Sequence, residues 1–390
     1  MRNFNFYEPT RIRFGWERVN EIGKTISRIG KKCLLVTVKP FPAMAPIFEK
    51  VKNLCSEAGV EVVHFDGVIP NPTAKSINLG SEVASINKVD VVLGIGGGSS
   101  IDTAKAIAVG ATHEGDIWDY RLGQKRIESK RVLPVVVVPT TAGTGAEVTN
   151  MAVIKNSDKK FKSALADWAI VPRVSIVDPE LTLTVPHHIT ASTGFDTFCH
   201  SFESFLNINA SDFIDLYNLD SLRKVIKYLP IAIKDGLNRE AREALSYSAT
   251  LGGISISNVG TTLPHGIGMA IGGHISNIMH GESLAIMYPE INQWTWKNAI
   301  SKYAMIARLF NPDLVNQSDK VAAEKACDEV DSFLKKIGMW MSLEDKNVSE
   351  NEIKTIANDA LKLRNYTLHP KVANLEDVIT LLKKSYKRKD

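Results

Sequence analysis

Between residues 30 and 180, unbroken β-branched runs alternate with stretches of helical composition, and this alternation restricts the fold more than any other feature of the chain. CLLVTV (33–38), VEVVHF (60–65), VVLGIG (91–96), VLPVVVVP (132–139) and AIVPRVSIV (169–177) read as strands. AMAPIFEKVKNLCSEAG (43–59) and TAKSINLGSEVASINK (73–88) between them read as helices. Apolar strands without in-out alternation belong to a parallel sheet buried on both faces. Strand and helix in alternation then predict a doubly wound α/β layer. KNSDKK (155–160) has the composition of a hairpin turn inserted before the last strand.

After VDPELTLTVP (177–186) the pattern changes to helical periodicity, as in SDFIDLYNLDSLRKVIKYL (211–229) and VAAEKACDEVDSFLKKIG (321–338). A chain of 390 residues exceeds a single ordinary core. Two domains are therefore expected, an α/β domain over 1–186 and an all-α domain over 187–390.

Composition excludes several functions. The 44% hydrophobic and 23% charged fractions are those of a globular protein, and a net charge of +4 implies no acidic polymer as partner. The C-terminal KKSYKRKD lacks the length and aromatic platform for nucleic acid and reads as a solvated helix end. VLPVVVVP is far shorter than the roughly 18 residues of a membrane helix, and MRNFNFYEPT has no signal-peptide pattern. Cys33, Cys55, Cys199 and Cys327 lie far apart without a CxxC, as free thiols of a reducing compartment do. A cytoplasmic location is expected.

GIGGGSSIDTAKAIA (94–108) sits where the third of these strands ends and a helix begins. Glycines there let the backbone approach an anion, and a helix N-terminus offers N–H groups to a phosphate. Ser99 and Ser100 are placed to cap the helix. With Gly94 and Gly96 as the first two glycines of a Rossmann fingerprint, Ser99 stands where the third should be. No Gly-Lys-Ser/Thr follows, so the loop is not a Walker loop. VVVVPTTAGTGAEVT (135–149) ends the next strand with small hydroxyl residues, and two such neighbouring loops would form a ligand crevice.

GFDTFCHSFESF (194–205) carries Asp196 and His200, which share a helix face at a separation of four. PHGIGMAIGGHISNIMHGE (264–282) adds His265, His274 and His280. One oxygen and up to three nitrogens suit Fe(II) or Zn(II) rather than calcium or magnesium. The absence of cysteine ligands favours a catalytic metal over a structural zinc.

GGGSSIDTAK, PTTAGTGAEVT, VDPELTLTVP, the GFD-x3-H segment and the PHG…HGE pair, in this order, resemble the group III iron-containing alcohol dehydrogenases, within the dehydroquinate synthase-like superfamily. So does FNFYEPTRIRFG near the start, and the resemblance spans essentially the whole chain. It implies a dinucleotide-binding α/β domain followed by a helical metal-binding domain, in agreement with the two patterns above. It also implies hydride transfer between NADH or NADPH and a small alcohol, aldehyde or ketone, with a homodimer as the assembly. The alternative within the superfamily is a non-redox lyase that uses bound NAD.

Carried onto this chain, the resemblance places the metal on Asp196, His200, His265 and His280. Gly97, Gly98 and Ser99 would meet the pyrophosphate, with Asp102 in the same helix. Thr140, Thr141 and Thr144 would flank the nicotinamide, Asn71 of VIPNPT would lie near the cofactor, and Lys162 and Leu181 match cofactor-contacting positions. Two departures stand out. Many members carry a further histidine four residues after the third ligand, where this chain has Met269, which cannot shuttle a proton. His274 is the candidate catalytic substitute, although nine residues from His265 it faces the opposite side of a straight helix, unless Gly272 and Gly273 break that helix. At the end of the first strand, where NAD-preferring members often place an aspartate, this chain has Val38 followed by Lys39, which opens the site to NADPH.

Overall fold

The computed structural model describes residues 3–388. The chain forms two compact units, Tyr7–Val185 and Pro186–Asp390 together with Met1–Phe6. The opening segment thus goes with the helical unit, where Phe4 stacks on Phe213 at 5.2 Å. The end of the basic KKSYKRKD run, Lys389 and Asp390, lies outside the described residues.

In the α/β unit eight strands form: β1 (Arg11–Phe14), β2 (Lys32–Val38), β3 (Glu61–Val68), β4 (Val91–Gly96), β5 (Val135–Pro139), β6 (Met151–Asn156), β7 (Phe161–Ala166) and β8 (Val174–Val177). Four helices accompany them: α1 (Ile22–Ile26), α2 (Ala45–Glu57), α3 (Ala74–Ile86) and α4 (Gly98–Gly110). Six strands make one sheet in the order β1-β8-β5-β4-β2-β3, with every pair parallel. Both faces are covered, as the unbroken apolar runs require. Leu34, Val36, Val92, Val135 and Val137 point into one core with α3 and α4. Cys33, Leu35, Val91, Leu93, Val136 and Val138 point into the other, with α1 and α2.

The structure corrects some strand bounds. AIVPRVSIV is a strand only over Val174–Val177, its first part being a helical turn at Trp168–Ile170 before Pro172. VLPVVVVP is a strand only from Val135: the Pro134 carbonyl still accepts from Val92 N–H at 3.0 Å, but Pro134 has no N–H to give. The strand β1 was not expected: RIRF is short, alternates arginine with apolar residues and pairs on one side only, with β8. The glycine loop therefore follows the fourth strand, not the third. KNSDKK does turn a hairpin, joining β6 and β7 in antiparallel register with Lys155 opposite Lys162.

The helical unit contains α5 (His187–Leu206), α6 (Asp212–Lys234), α7 (Arg239–Val259), α8 (Leu263–His274), α9 (His280–Thr295), α10 (Ile300–Phe310), α11 (Asp319–Lys336), α12 (Ile353–Ala360) and α13 (Leu375–Lys384). Its described residues carry no strand. Helix α5 is buried almost throughout, which an amphipathic surface helix would not be. Its Phe195, Phe198 and Phe202 meet Tyr288 of α9 at ring-centroid distances of 5.3, 6.3 and 5.9 Å. Helix α6 begins at a Ser211 cap and continues beyond Leu229 through Pro230. No helix among the described residues is long and apolar enough to cross a membrane.

Candidate active site

The order in which strands are laid down reverses between β2 and β4, so the crevice of this open parallel sheet lies beyond the carboxyl ends of those strands. At the end of β4, Gly96 adopts φ +144°, and a Cβ there would sit 2.3 Å from Ser100 Oγ, so only glycine fits. A Cβ on Gly98 would lie 2.6 Å from Thr144, and one on Gly97 would lie 3.2 Å from Thr141. The two loops are thus packed side by side, and Thr140 N–H donates to the Gly96 carbonyl at 2.9 Å. Gly97 is the N-cap of α4 and no side chain caps the helix. Ser99 and Ser100 lie inside the first turn rather than at the cap, because the strand-to-helix turn spends only Gly97 before the helix begins. Uncapped amides beside a floor of glycine and threonine fit a pyrophosphate.

The remaining cofactor candidates are held as follows. Asp102 accepts from Val153 N–H at 3.0 Å, and burial pushes its carboxyl up to about 6 despite nearby Lys105. Lys105 is fully buried and donates to the Thr149 carbonyl and hydroxyl and to the Met151 carbonyl at 2.8, 2.9 and 3.0 Å, tying α4 to the start of the hairpin. Lys162 donates to Asn71 Oδ1 at 2.6 Å. Burial, then Lys155, bring its ammonium down to about 8, and Asn71 itself has φ +54°. Leu181 is buried in the turn Pro179–Thr182. Val38 ends β2 beside a register shift, its carbonyl accepting from the Thr37 hydroxyl at 2.7 Å.

In the helical unit, α5 carries Asp196 and His200 on one face, α8 carries His265 in its first turn, and α9 begins with His280. Gly281 makes the approach of α9 to α5 possible: a Cβ there would be 2.0 Å from the Ser192 carbonyl oxygen. The start of α9 is pinned by Glu282, which accepts from Met279 N–H at 2.9 Å and pairs with Lys346 at 2.7 Å. The Nε2 atoms of His200, His265 and His280 then stand 3.6, 3.5 and 3.8 Å from Asp196 Oδ1. Ligand atoms of Asp196, His265 and His280 all lie within 4.8 Å of one another. Asp196 Oδ1 and His265 Nε2 are buried without a hydrogen-bond partner, although buried polar atoms are nearly always satisfied. One oxygen and imidazole nitrogens converging at distances too long for hydrogen bonds are what a shared divalent cation would satisfy. The donor set fits iron or zinc. His280, with 30% of its side chain exposed against 6% for His200 and His265, marks the open side.

Burial alone would raise the Asp196 carboxyl, but His200, His280 and His265 hold it well below the usual range. For His265 burial opposes protonation, yet Glu203 and then Asp196 lift it to about 9. Glu203 is the residue missed in the sequence. Its Oε1 lies 2.6 Å from His265 Nδ1, so Nδ1 carries the proton and Nε2 is left for a metal. The available signal was its position, seven residues after Asp196 and three after His200, on the same helix face.

His274 is not brought into this group. Helix α8 runs unbroken through Gly272 and Gly273 and ends on His274, so these glycines do not re-aim it; the Ile275 N–H still bonds to the Ile271 carbonyl at 2.8 Å. The ring instead lies between acids, Nε2 2.8 Å from Asp359 and Nδ1 3.8 Å from Glu352. Met269, in place of the relay histidine, is half-buried.

Residues 9–179 match the iron-containing alcohol dehydrogenase model, and residues 190–386 match the C-terminal model of the Fe-containing alcohol dehydrogenase family. The chain is 33% identical to the NAD-dependent methanol dehydrogenase of Bacillus methanolicus, over 97% of this chain and 99% of that one. It is 32% identical to the 1,3-propanediol dehydrogenase of Klebsiella pneumoniae, over 98% and 97%. Its fold superposes on an archaeal halo-thermophilic Red Sea brine pool alcohol dehydrogenase with a TM-score of 0.93 at 30% identity, covering 99% of this chain and all of the other. The chain belongs to the iron-containing alcohol dehydrogenase family, and its relatives favour the redox chemistry over the lyase alternative.

Metal binding should release protons. Below about pH 9 the metal-free His265 is protonated, and ligation requires its neutral Nε2. Calorimetric Zn2+ titrations in buffers of different ionisation enthalpy should therefore show proton release at pH 7.5, with affinity rising toward pH 9. An affinity independent of pH between 7 and 9 would contradict this assignment.

Proposed function

We propose that this chain catalyses reversible hydride transfer between NAD(P)H and a small aldehyde or ketone, the reverse direction oxidising the alcohol. The observation that carries the reading is the buried convergence of His200, His265 and His280 Nε2 on a single Asp196 oxygen. Asp196, His200, His265 and His280 would hold Fe2+ or Zn2+, which supplies Lewis acidity toward the substrate oxygen. The dinucleotide supplies or accepts the hydride.

The protein's own residues align and desolvate. Gly97, Gly98 and Ser99 seat the pyrophosphate at the start of α4, and Thr140, Thr141 and Thr144 line the adjoining loop. Asn71 and Lys162, joined by their hydrogen bond, present a fixed cation and amide to the cofactor, while Leu181 contributes the buried floor of its turn. Asp102 braces the loop through Val153. Glu203 keeps the proton of His265 on Nδ1, away from the metal. Met269 takes no part in proton transfer. With both ring nitrogens facing Asp359 and Glu352, His274 is better read as the anchor of the α8 terminus than as a relay.

Val38 sets no carboxylate at the end of β2, so nothing there repels a 2′-phosphate, and the exposed Lys39 follows. NADPH is accepted together with NADH. Four buried free cysteines fit a reducing, cytoplasmic setting. The open edge of β1 offers a pairing surface for a homodimer.

His200→Ala and His280→Ala should each lose bound metal and more than about 100-fold in turnover, since even hydrogen-bond partners of metal ligands are worth ten- to a hundredfold. Dinucleotide binding, read by fluorescence, should survive in both. Undiminished turnover in metal-depleted His280→Ala protein would refute the metal assignment. In steady-state assays across an aldehyde panel, kcat/KM with NADPH should match or exceed that with NADH; a strong NADH preference contradicts the role given to Val38. Light scattering should report a dimer, and a monomer at micromolar concentration would remove that assignment.

A further inference from the structure

Thr262 is the N-cap of α8, yet its side chain makes no cap hydrogen bond, unusual for a threonine at that position. Glu203 does the capping instead: its Oε2 accepts from the backbone N–H of Thr262 at 2.8 Å and of His265 at 3.4 Å. The Thr262 hydroxyl thus has its proton to place elsewhere. Two acceptors are in reach, Glu203 Oε2 at 3.2 Å and His369 Nδ1 at 3.0 Å.

Which one receives it is decided from the far side of His369. The Thr295 hydroxyl donates to the Ile291 carbonyl at 2.6 Å, and its oxygen lies 2.8 Å from His369 Nε2. A hydroxyl has one proton, so His369 Nε2 must be the donor to Thr295. Burial keeps the ring neutral, its pKa down at about 3, so Nδ1 is a bare lone pair. Thr262, His369 and Thr295 are all buried, so that lone pair is shielded from bulk solvent. An unsatisfied buried acceptor is costly, and the Thr262 hydroxyl is the donor at hand. Glu203 Oε2 already accepts from the Thr262 N–H at 2.8 Å, closer than the hydroxyl at 3.2 Å.

We propose that His369 is a positioning residue that draws the Thr262 hydroxyl proton away from Glu203, so that Glu203 directs its charge at the Nδ1–H of the metal ligand His265. This rests on the assignment of His265 as a ligand. A carboxylate relieved of one competing donor polarises imidazole more strongly and raises the basicity of Nε2 toward the metal. Without an acceptor at residue 369, the hydroxyl turns to Glu203 Oε2 and weakens that pull.

The test uses the full-length protein and Zn2+ competition with a chelator, alongside the visible spectrum of the Co2+-loaded protein. His369→Phe, which keeps an aromatic ring beside Trp294 (stacked on His369 at a centroid distance of 6.2 Å), should weaken Zn2+ binding about fivefold and shift the Co2+ bands, a smaller effect than loss of a ligand's direct partner. His369→Gln, which can both donate and accept, should keep the wild-type affinity. Thr262→Val retains the backbone N–H and has no hydroxyl to turn, so it should bind within about twofold of wild type, and adding His369→Phe to it should cost nothing further. A structural role alone would make the double variant at least as weak as His369→Phe, and that outcome overturns the proposal, as does wild-type affinity in His369→Phe. His369→Leu carries the same comparison should the phenylalanine variant not fold. Failure of the ligand assignment reads differently: Zn2+ would then bind wild type no better than His280→Ala.

Discussion

A single carboxylate oxygen organises the helical unit. Asp196 Oδ1 is buried, makes no hydrogen bond and faces Nε2 atoms from three different helices. Such a group is tolerable only if a cation, protonic or metallic, compensates it. Helices α5, α8 and α9 must therefore meet at one point, and much of the surrounding structure serves that meeting. Glu203 caps α8 and orients its histidine with the same carboxylate, so the position of the helix and the tautomer of His265 are set together. The aromatic residues on the other side of α5 lock the helix against α9 through Tyr288.

The α/β unit solves a different problem. Its strands are buried on both faces, so successive side chains go to separate cores and no face is left to carry polar function. Function is displaced to the strand ends, where the chain must turn. That leaves GGGSS and PTTAGTG, at the strand ends, as the segments of this unit free to present polar groups to a ligand.

This division also explains what could be read from the sequence. Continuous Val, Ile and Leu runs announced β2, β4 and β5, because double-sided burial imposes composition directly. The edge strand β1 escaped because pairing on one side permits Arg11 and Arg13. Asp196 and His200 were legible through helical spacing, and His265 and His280 only by joining them to that pair. Asp359, 85 residues from His274, leaves no local trace of the contact that engages that ring. The same holds for His369, 107 residues from Thr262, since a buried hydrogen bond between distant segments has no periodicity.

The contact of Gly281 with the Ser192 carbonyl fixes a main-chain separation, which side-chain rearrangement cannot relax. His280 is the preceding residue, so the main chain that carries its ring is held close to α5. Adjustment of the group formed by Asp196, His200, His265 and His280 therefore falls on side chains rather than on the backbone at this point. The Thr262 hydroxyl, within reach of both Glu203 and His369, belongs to that mobile layer, since one proton can point either way without moving a backbone atom.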